Sequence, residues 1–246
     1  MEQERQARRT GRPAILFLHG ILGDPRHFLP FFPLIPEDWT VKSVLLQGHG
    51  GTVQDFSAAS MAEWKRQAHE ALQTLREEHD RVVIAAHSMG TLFAIQEAVS
   101  QPVSALFLLN VPLRIRLTPR LFQTAFSVYR GNIPQGSERL LAAQRAYSIA
   151  PDKNPLHYAG WIPRYLELFS LIRETRPMTG RLAVPCRIYL SAQDEMVSPA
   201  AGRAFDGNGL AKVKTLAHSG HYYYAPDDLR LLQRDFQDLL RQLQEI

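Results

Sequence analysis

Residues 82–90, Val-Val-Ile-Ala-Ala-His-Ser-Met-Gly, constrain the fold of this chain more than any other stretch. The β-branched run Val82-Val83-Ile84 suits a strand buried on both faces, and residues 91–99 continue as helix-compatible text. Between them, the small Ala86 and Gly90 flank Ser88 and let the backbone turn sharply without a Cβ clash. A strand, a tight turn carrying a serine, and a helix make up the nucleophile-elbow pattern, here with Ala at its first glycine position. Such a turn holds a hydroxyl clear of the sheet. The helix N-terminus then faces the place where negative charge would develop.

The rest of the chain alternates in a way that surrounds this unit with a parallel sheet. Patterning predicts strands over 14–19, 41–46, 105–110, 186–191 and 213–216. It predicts helices over 25–34, 60–79, 199–205 and 226–243, and a long helical insertion after the 105–110 strand. Right-handed crossovers make this an α/β fold with a mostly parallel sheet covered by helices. In such sheets active residues gather beyond the carboxyl ends of the strands. Ser88, His19-Gly20, Asp194 and His221 all fall just after predicted strands, so four separate regions converge on one edge.

Length and composition narrow the class. At 246 residues the chain (1–246) can form one α/β domain with residues 112–182 inserted in it. The 45% hydrophobic and 21% charged content are those of an ordinary globular protein. Cys186 is the one cysteine, so no disulfide framework exists within the chain, and a reducing cytoplasm is expected. Residues 1–12 mix Glu and Arg, lack a signal-peptide core and read as a solvated tail. No run of about 18 apolar residues occurs, so no membrane span is expected.

The candidate chemistry follows from position. After the first strand, Gly20 lets the chain turn so that the Ile21 amide points back across the elbow. With the Met89 amide it can form a two-donor oxyanion hole, in which losing one donor typically costs about 3 kcal/mol of transition-state stabilisation. Asp194 lies nearest the end of its strand, with Glu195 the local competitor and Asp24 a distant one, and is the expected acid. His221, after the flexible Ser219-Gly220, is the expected base, whereas His218 stays near the strand. His27, His69, His79 and His157 show no metal-ligand spacing and read as surface or packing residues. The glycine-rich 48–51 stretch lacks a following Gly-Lys-Ser/Thr, and no dinucleotide fingerprint opens the first βα unit.

These residues together, His19-Gly20, Gly48-His49-Gly50, Trp64, His87-Ser88-Met89-Gly90, Asp194 with Val197, and Ser219 with His221, resemble the α/β-hydrolase superfamily. Their order and spacing are similar to those of small bacterial carboxylesterases and monoacylglycerol lipases. The departures are Ala86 at the first elbow glycine, Thr91 where a further glycine is common, Ser191 three residues before the acid, and Gln47 before Gly-His-Gly. The resemblance implies an α/β-hydrolase fold with a helical lid at 112–182. It further implies Ser-His-Asp ester hydrolysis by Ser88, His221 and Asp194, with Ile21 and Met89 as oxyanion donors and no cofactor or metal. A small-molecule acyl ester is the implied partner, with no nucleic acid and no membrane insertion. Peptide, thioester or C–C bond hydrolysis would use the same triad, and a binding module without activity is the remaining class.

Residues 112–182 carry 11 Lys and Arg against four Asp and Glu, whereas the rest of the chain is slightly acidic. This local basicity suits anionic partners or a solvated helical face equally. Its aromatics, Phe122, Phe126, Tyr129, Tyr147, Tyr158, Trp161, Tyr165 and Phe169, suit an acyl pocket or the packing of lid helices on one another.

Overall fold

The computed structural model describes residues 11–116, 118–130 and 133–244, apart from the side chains of Phe122, Ala125 and Tyr129. The reading of residues 1–12 as a tail falls almost wholly outside these. Six strands, β1 (Ala14–Leu18), β2 (Thr40–Val44), β3 (Val82–His87), β4 (Ala105–Leu109), β5 (Cys186–Ser191) and β6 (Ala211–Leu216), form one sheet in the order β2-β1-β3-β4-β5-β6. Every pairing is parallel. The helices are α1 (Val53–Ala58), α2 (Met61–Glu78), α3 (Met89–Ser100), α4 (Pro119–Arg130), α5 (Glu138–Ala146), α6 (Trp161–Thr175) and α7 (Pro226–Gln244).

The central strands β1 and β4 are apolar at every position, and β3 at every position before His87, because both faces are covered. Leu16, Leu18, Ile84, Leu106, Leu108 and Ile188 point to the face packed by α2, α3 and α6. Ile15, Phe17, Val83, Phe107 and Tyr189 point to the other, where Leu232, Phe236 and Leu240 of α7 meet Phe28, Phe31 and Trp39. The edges read differently. β6 exposes Lys212 and Lys214, the charged blunting typical of an unpaired edge.

Two predicted helices take another form. Residues 25–34 form two short 3₁₀ turns, Pro25–Phe28 and Phe32–Leu34, because Pro30 and Pro33 remove donors and bar a continuous α-helix. Residues Pro199–Phe205 are likewise 3₁₀. Helix α1 was not expected. Its signal was a capping box in which Thr52 Oγ1 accepts the Asp55 amide and the Asp55 carboxylate accepts the Thr52 amide. Between β4 and β5, residues 112–182 contribute α4, α5 and α6. Helix α6 is riveted to the core, because Glu167 accepts the Met61 amide, Arg164 donates to Ser57 O and Trp161 Nε1 donates to Val53 O. Among the described residues no helix is long and apolar enough to cross a membrane.

Candidate active site

The parallel register lines up the carboxyl ends of β1, β3, β4 and β5, and the polar side chains cluster there. Ser88 follows β3 directly and serves as N-cap of α3, with φ 49° and ψ −122°. A non-glycine residue held at positive φ costs about 1–3 kcal/mol and persists only when its surroundings impose it. Its amide donates to Leu109 O at 2.9 Å and its carbonyl accepts from the Thr91 amide at 2.9 Å, so both flanks of the turn are fixed. Close packing explains the neighbouring glycines. A Cβ on Gly90 would lie 2.3 Å from Leu18 O, and one on Gly20 would lie 2.8 Å from Ser88 Cβ.

Asp194 and His221 meet from the loops after β5 and β6. His221 Nδ1 lies 2.7 Å from Asp194 Oδ2, with both side chains almost fully buried. The other carboxylate oxygen, Oδ1, accepts the Met196 and Val197 amides, each at 2.7 Å, which fixes the rotation of the carboxylate. Glu195 makes a different contact, accepting the backbone amide of His221 at 3.2 Å. His218 is exposed, and its amide donates to Asp228. Among the described residues no hydrogen bond joins Ser88 Oγ to His221; the two residues meet instead as walls of one cavity.

On the opposite side of Ser88, the chain turns at Gly20-Ile21. His19 is held in one neutral form, donating from Nδ1 to Gly20 O at 2.8 Å and accepting the Leu46 amide at Nε2 at 3.1 Å. Burial pulls its pKa down to about 4. His49 packs edge-on against it and donates from Nδ1 to Leu46 O, and burial pulls its pKa down to about 3. Among the described residues neither the Ile21 nor the Met89 amide has a protein acceptor. Met89 is the first residue of α3, where an amide lacks an intrahelical partner.

The cavity has a volume of about 430 Å³ and almost wholly apolar walls. Ile21, Leu22, Ser88, Met196, Val197, His221 and Tyr222 form its floor, and residues between β4 and β5 form the rest. Of the eight aromatics singled out in that segment, Tyr147, Tyr158, Trp161, Tyr165 and Phe169 line the cavity, whereas Phe126 is exposed. The Phe122 and Tyr129 side chains lie outside the described residues. Hydroxyls interrupt the apolar wall at Tyr147 and Tyr222, whose ring centroids lie 5.5 Å apart, and burial pushes the Tyr147 hydroxyl up to about 12. Among the described residues no group of three or more His, Cys, Asp or Glu side chains could hold a metal ion.

Three residues near the site carried no readable signal in the sequence. His27, expected to be a surface or packing residue, stacks on His87 with ring centroids 3.9 Å apart and contacts Tyr224 Oη at 3.0 Å. Asn110, at the end of β4 with φ 52°, donates to His221 O and accepts the Ser191 amide. Arg116 grips the carbonyls of Ala192 and Asp194, tying the start of the intervening segment to the acid loop. Contacts 60 or more residues apart leave no local pattern to read.

Comparison with known proteins agrees with this architecture. The chain is 22% identical over 225 residues to the thermostable monoacylglycerol lipase of Bacillus sp. (strain H-257), covering 89% of this chain and 86% of that one. Its fold is similar to that of a metagenome-derived lipolytic enzyme, with a TM-score of 0.71, 20% identity and 95% of each chain covered. It is also similar to the Paleococcus ferrophilus monoacylglycerol lipase, with a TM-score of 0.64, 16% identity, and 94% of this chain and 96% of that one covered. Residues 15–233 match the family model as well, and the chain therefore belongs to the alpha/beta hydrolase family.

Proposed function

We propose that the protein is a serine hydrolase that cleaves carboxylic esters of short to medium acyl chains, monoacylglycerols among them. The observation that carries this reading is the apolar cavity of about 430 Å³ with Ser88 and His221 in one wall, His221 being hydrogen-bonded to buried Asp194. An acyl chain is the ligand such a wall accommodates, since each methylene taken from water contributes about 0.8 kcal/mol.

The chemistry then follows from the atoms. Asp194 keeps the His221 proton on Nδ1, which leaves the Nε2 lone pair free to take the proton of Ser88 Oγ as it attacks the ester carbonyl. The Ile21 and Met89 amides receive the oxyanion, and the α3 N-terminus adds a favourable dipole. Collapse of the tetrahedral species expels the alcohol, which collects its proton from His221 Nε2 and leaves an acyl group on Ser88. Water, deprotonated by the same nitrogen, releases the acid and restores Ser88. Residues 112–182 act as the lid that shapes the acyl pocket. Peptides, thioesters and C–C substrates share this triad, and the nearly unbroken apolar wall favours esters over them.

The test has two steps. A fluorophosphonate should add one adduct to the intact protein, visible by mass spectrometry and lost in Ser88→Ala; labelling elsewhere, or none, sinks the serine-hydrolase reading. On nitrophenyl esters of increasing chain length, kcat/KM should rise and then fall. If aminoacyl nitroanilides are cleaved faster than every ester, the enzyme is a peptidase.

A further inference from the structure

The loop bearing His221 follows an exposed edge strand and reaches the imidazole through Ser219-Gly220, so its own chain gives the imidazole little support. Support comes from the ends of three other strands. The His221 carbonyl accepts from His87 Nε2 at 3.0 Å and from Asn110 Nδ2 at 3.1 Å, while its amide donates to Glu195 Oε2 at 3.2 Å. Both polar groups of the peptide that carries the imidazole are therefore held by side chains from β3, β4 and the loop after β5.

The Asn110 and His87 side chains are themselves fixed, and Glu195 is anchored by its backbone. Asn110 Oδ1 accepts the Ser191 amide at 2.9 Å, which turns Nδ2 toward the His221 loop. The His87 ring lies between those of His27 and His221, at centroid distances of 3.9 and 4.8 Å, and Tyr224 anchors His27. Glu195 is held through its carbonyl, which accepts Thr118 Oγ1 at 3.0 Å. These bonds go beyond what keeping a loop folded requires, since Asp228 already pins the same loop through the His218 amide and Ser219 Oγ.

We infer that His87, Asn110 and Glu195 form a clamp on the His221 peptide that aims its imidazole at Ser88, and that they are positioning residues for hydrolysis. This rests on the proposed serine-hydrolase reading. The clamp restricts where Nε2 can sit relative to Ser88 Oγ, and a displacement of about 1 Å in such a pair costs roughly 100-fold in rate. Glu195 is thus distinct from the acid beside it. Asp194 fixes the imidazole's tautomer, and Glu195 fixes the backbone from which the imidazole hangs.

The decisive comparison is Glu195→Leu against Glu195→Gln, because glutamine keeps an acceptor for the His221 amide and leucine does not. Glu195→Leu should lower kcat for a nitrophenyl ester about 10- to 100-fold with KM within twofold, and slow fluorophosphonate labelling in parallel. Glu195→Gln should recover kcat to within a few-fold of wild type. His87→Leu, which removes the donor on the other side, should repeat the kcat-only loss. If Glu195→Leu does not fold, Glu195→Ala supplies the same comparison. Equal loss in the leucine and glutamine variants, a loss expressed in KM, or kcat within twofold of wild type in Glu195→Leu overturns the clamp. Absence of wild-type labelling at Ser88 overturns the parent reading instead.

Discussion

Replacing Asp194 with asparagine should abolish turnover while leaving the fold intact, and the structure dictates why. Three groups bind this carboxylate. The Met196 and Val197 amides both donate to Oδ1 at 2.7 Å, and His221 Nδ1 lies 2.7 Å from Oδ2. An amide side chain here must keep its oxygen on the two backbone donors, which forces its NH₂ toward His221. That NH₂ can only donate, so Nδ1 becomes the acceptor and the imidazole proton moves to Nε2. The nitrogen facing the cavity then cannot take a proton from Ser88. Holding a triad histidine in the wrong tautomer typically costs about four decades in kcat, or about 5.4 kcal/mol at 1.36 kcal/mol per decade. Two of the three hydrogen bonds survive unchanged and the third reverses with loss of its charge, so stability should fall by only about 1–2 kcal/mol. The assay is steady-state hydrolysis of a nitrophenyl ester at neutral pH beside urea unfolding of both proteins. Turnover of Asp194→Asn within tenfold of wild type would refute the argument. A collapse of stability matching the loss of activity would show that the carboxylate acts through the fold instead.

Three further outcomes are expected. Gly20→Ala sets a Cβ 2.8 Å from Ser88 Cβ, and because Ser88 is backbone-fixed, the Ile21 turn must move; kcat should fall roughly 100-fold with about 1–3 kcal/mol lost in urea unfolding, and unchanged kcat would disprove the close approach. Leu121→Trp adds bulk to the cavity wall and should shift the preferred acyl length to shorter esters in a chain-length series, an unchanged optimum placing the acyl chain elsewhere. Burial lowers the pKa values of His19, His49 and His87 below those in the unfolded chain, so the unfolded state takes up protons first as pH falls. Stability should therefore be full above about pH 6.5 and decline below it by up to about 1.4 kcal/mol per pH unit per histidine, down to about pH 4 for His19; urea midpoints that stay flat from pH 7 to 5 would contradict this.

The elbow was legible because it is local. Strand, turn and helix occupy residues 82–100 without interruption, and Ala86, Ser88 and Gly90 state the backbone requirement in their side chains. The helix expected over 25–34 failed at Pro30 and Pro33, where local chemistry outweighed the apolar pattern. Clustering of the aromatics within residues 112–182 was visible, but which of them face the cavity was not, since that depends on how the helices between β4 and β5 are rotated against the sheet.

The sequence by itself determined the alternation of buried strands and helices, the turn at Ser88 and the strand-end positions of Asp194 and His221, because each is written in periodicity or small-residue spacing over a few residues. Only the tertiary structure decided that Asp194 takes the imidazole while Glu195 takes the backbone amide, and that His87 and Asn110 converge on the His221 carbonyl with His27 stacked on His87. Adjacent carboxylates have nearly identical local chemistry. Their division of labour is set by register and loop packing across a sheet that brings together residues as distant as His87 and His221, 134 positions apart.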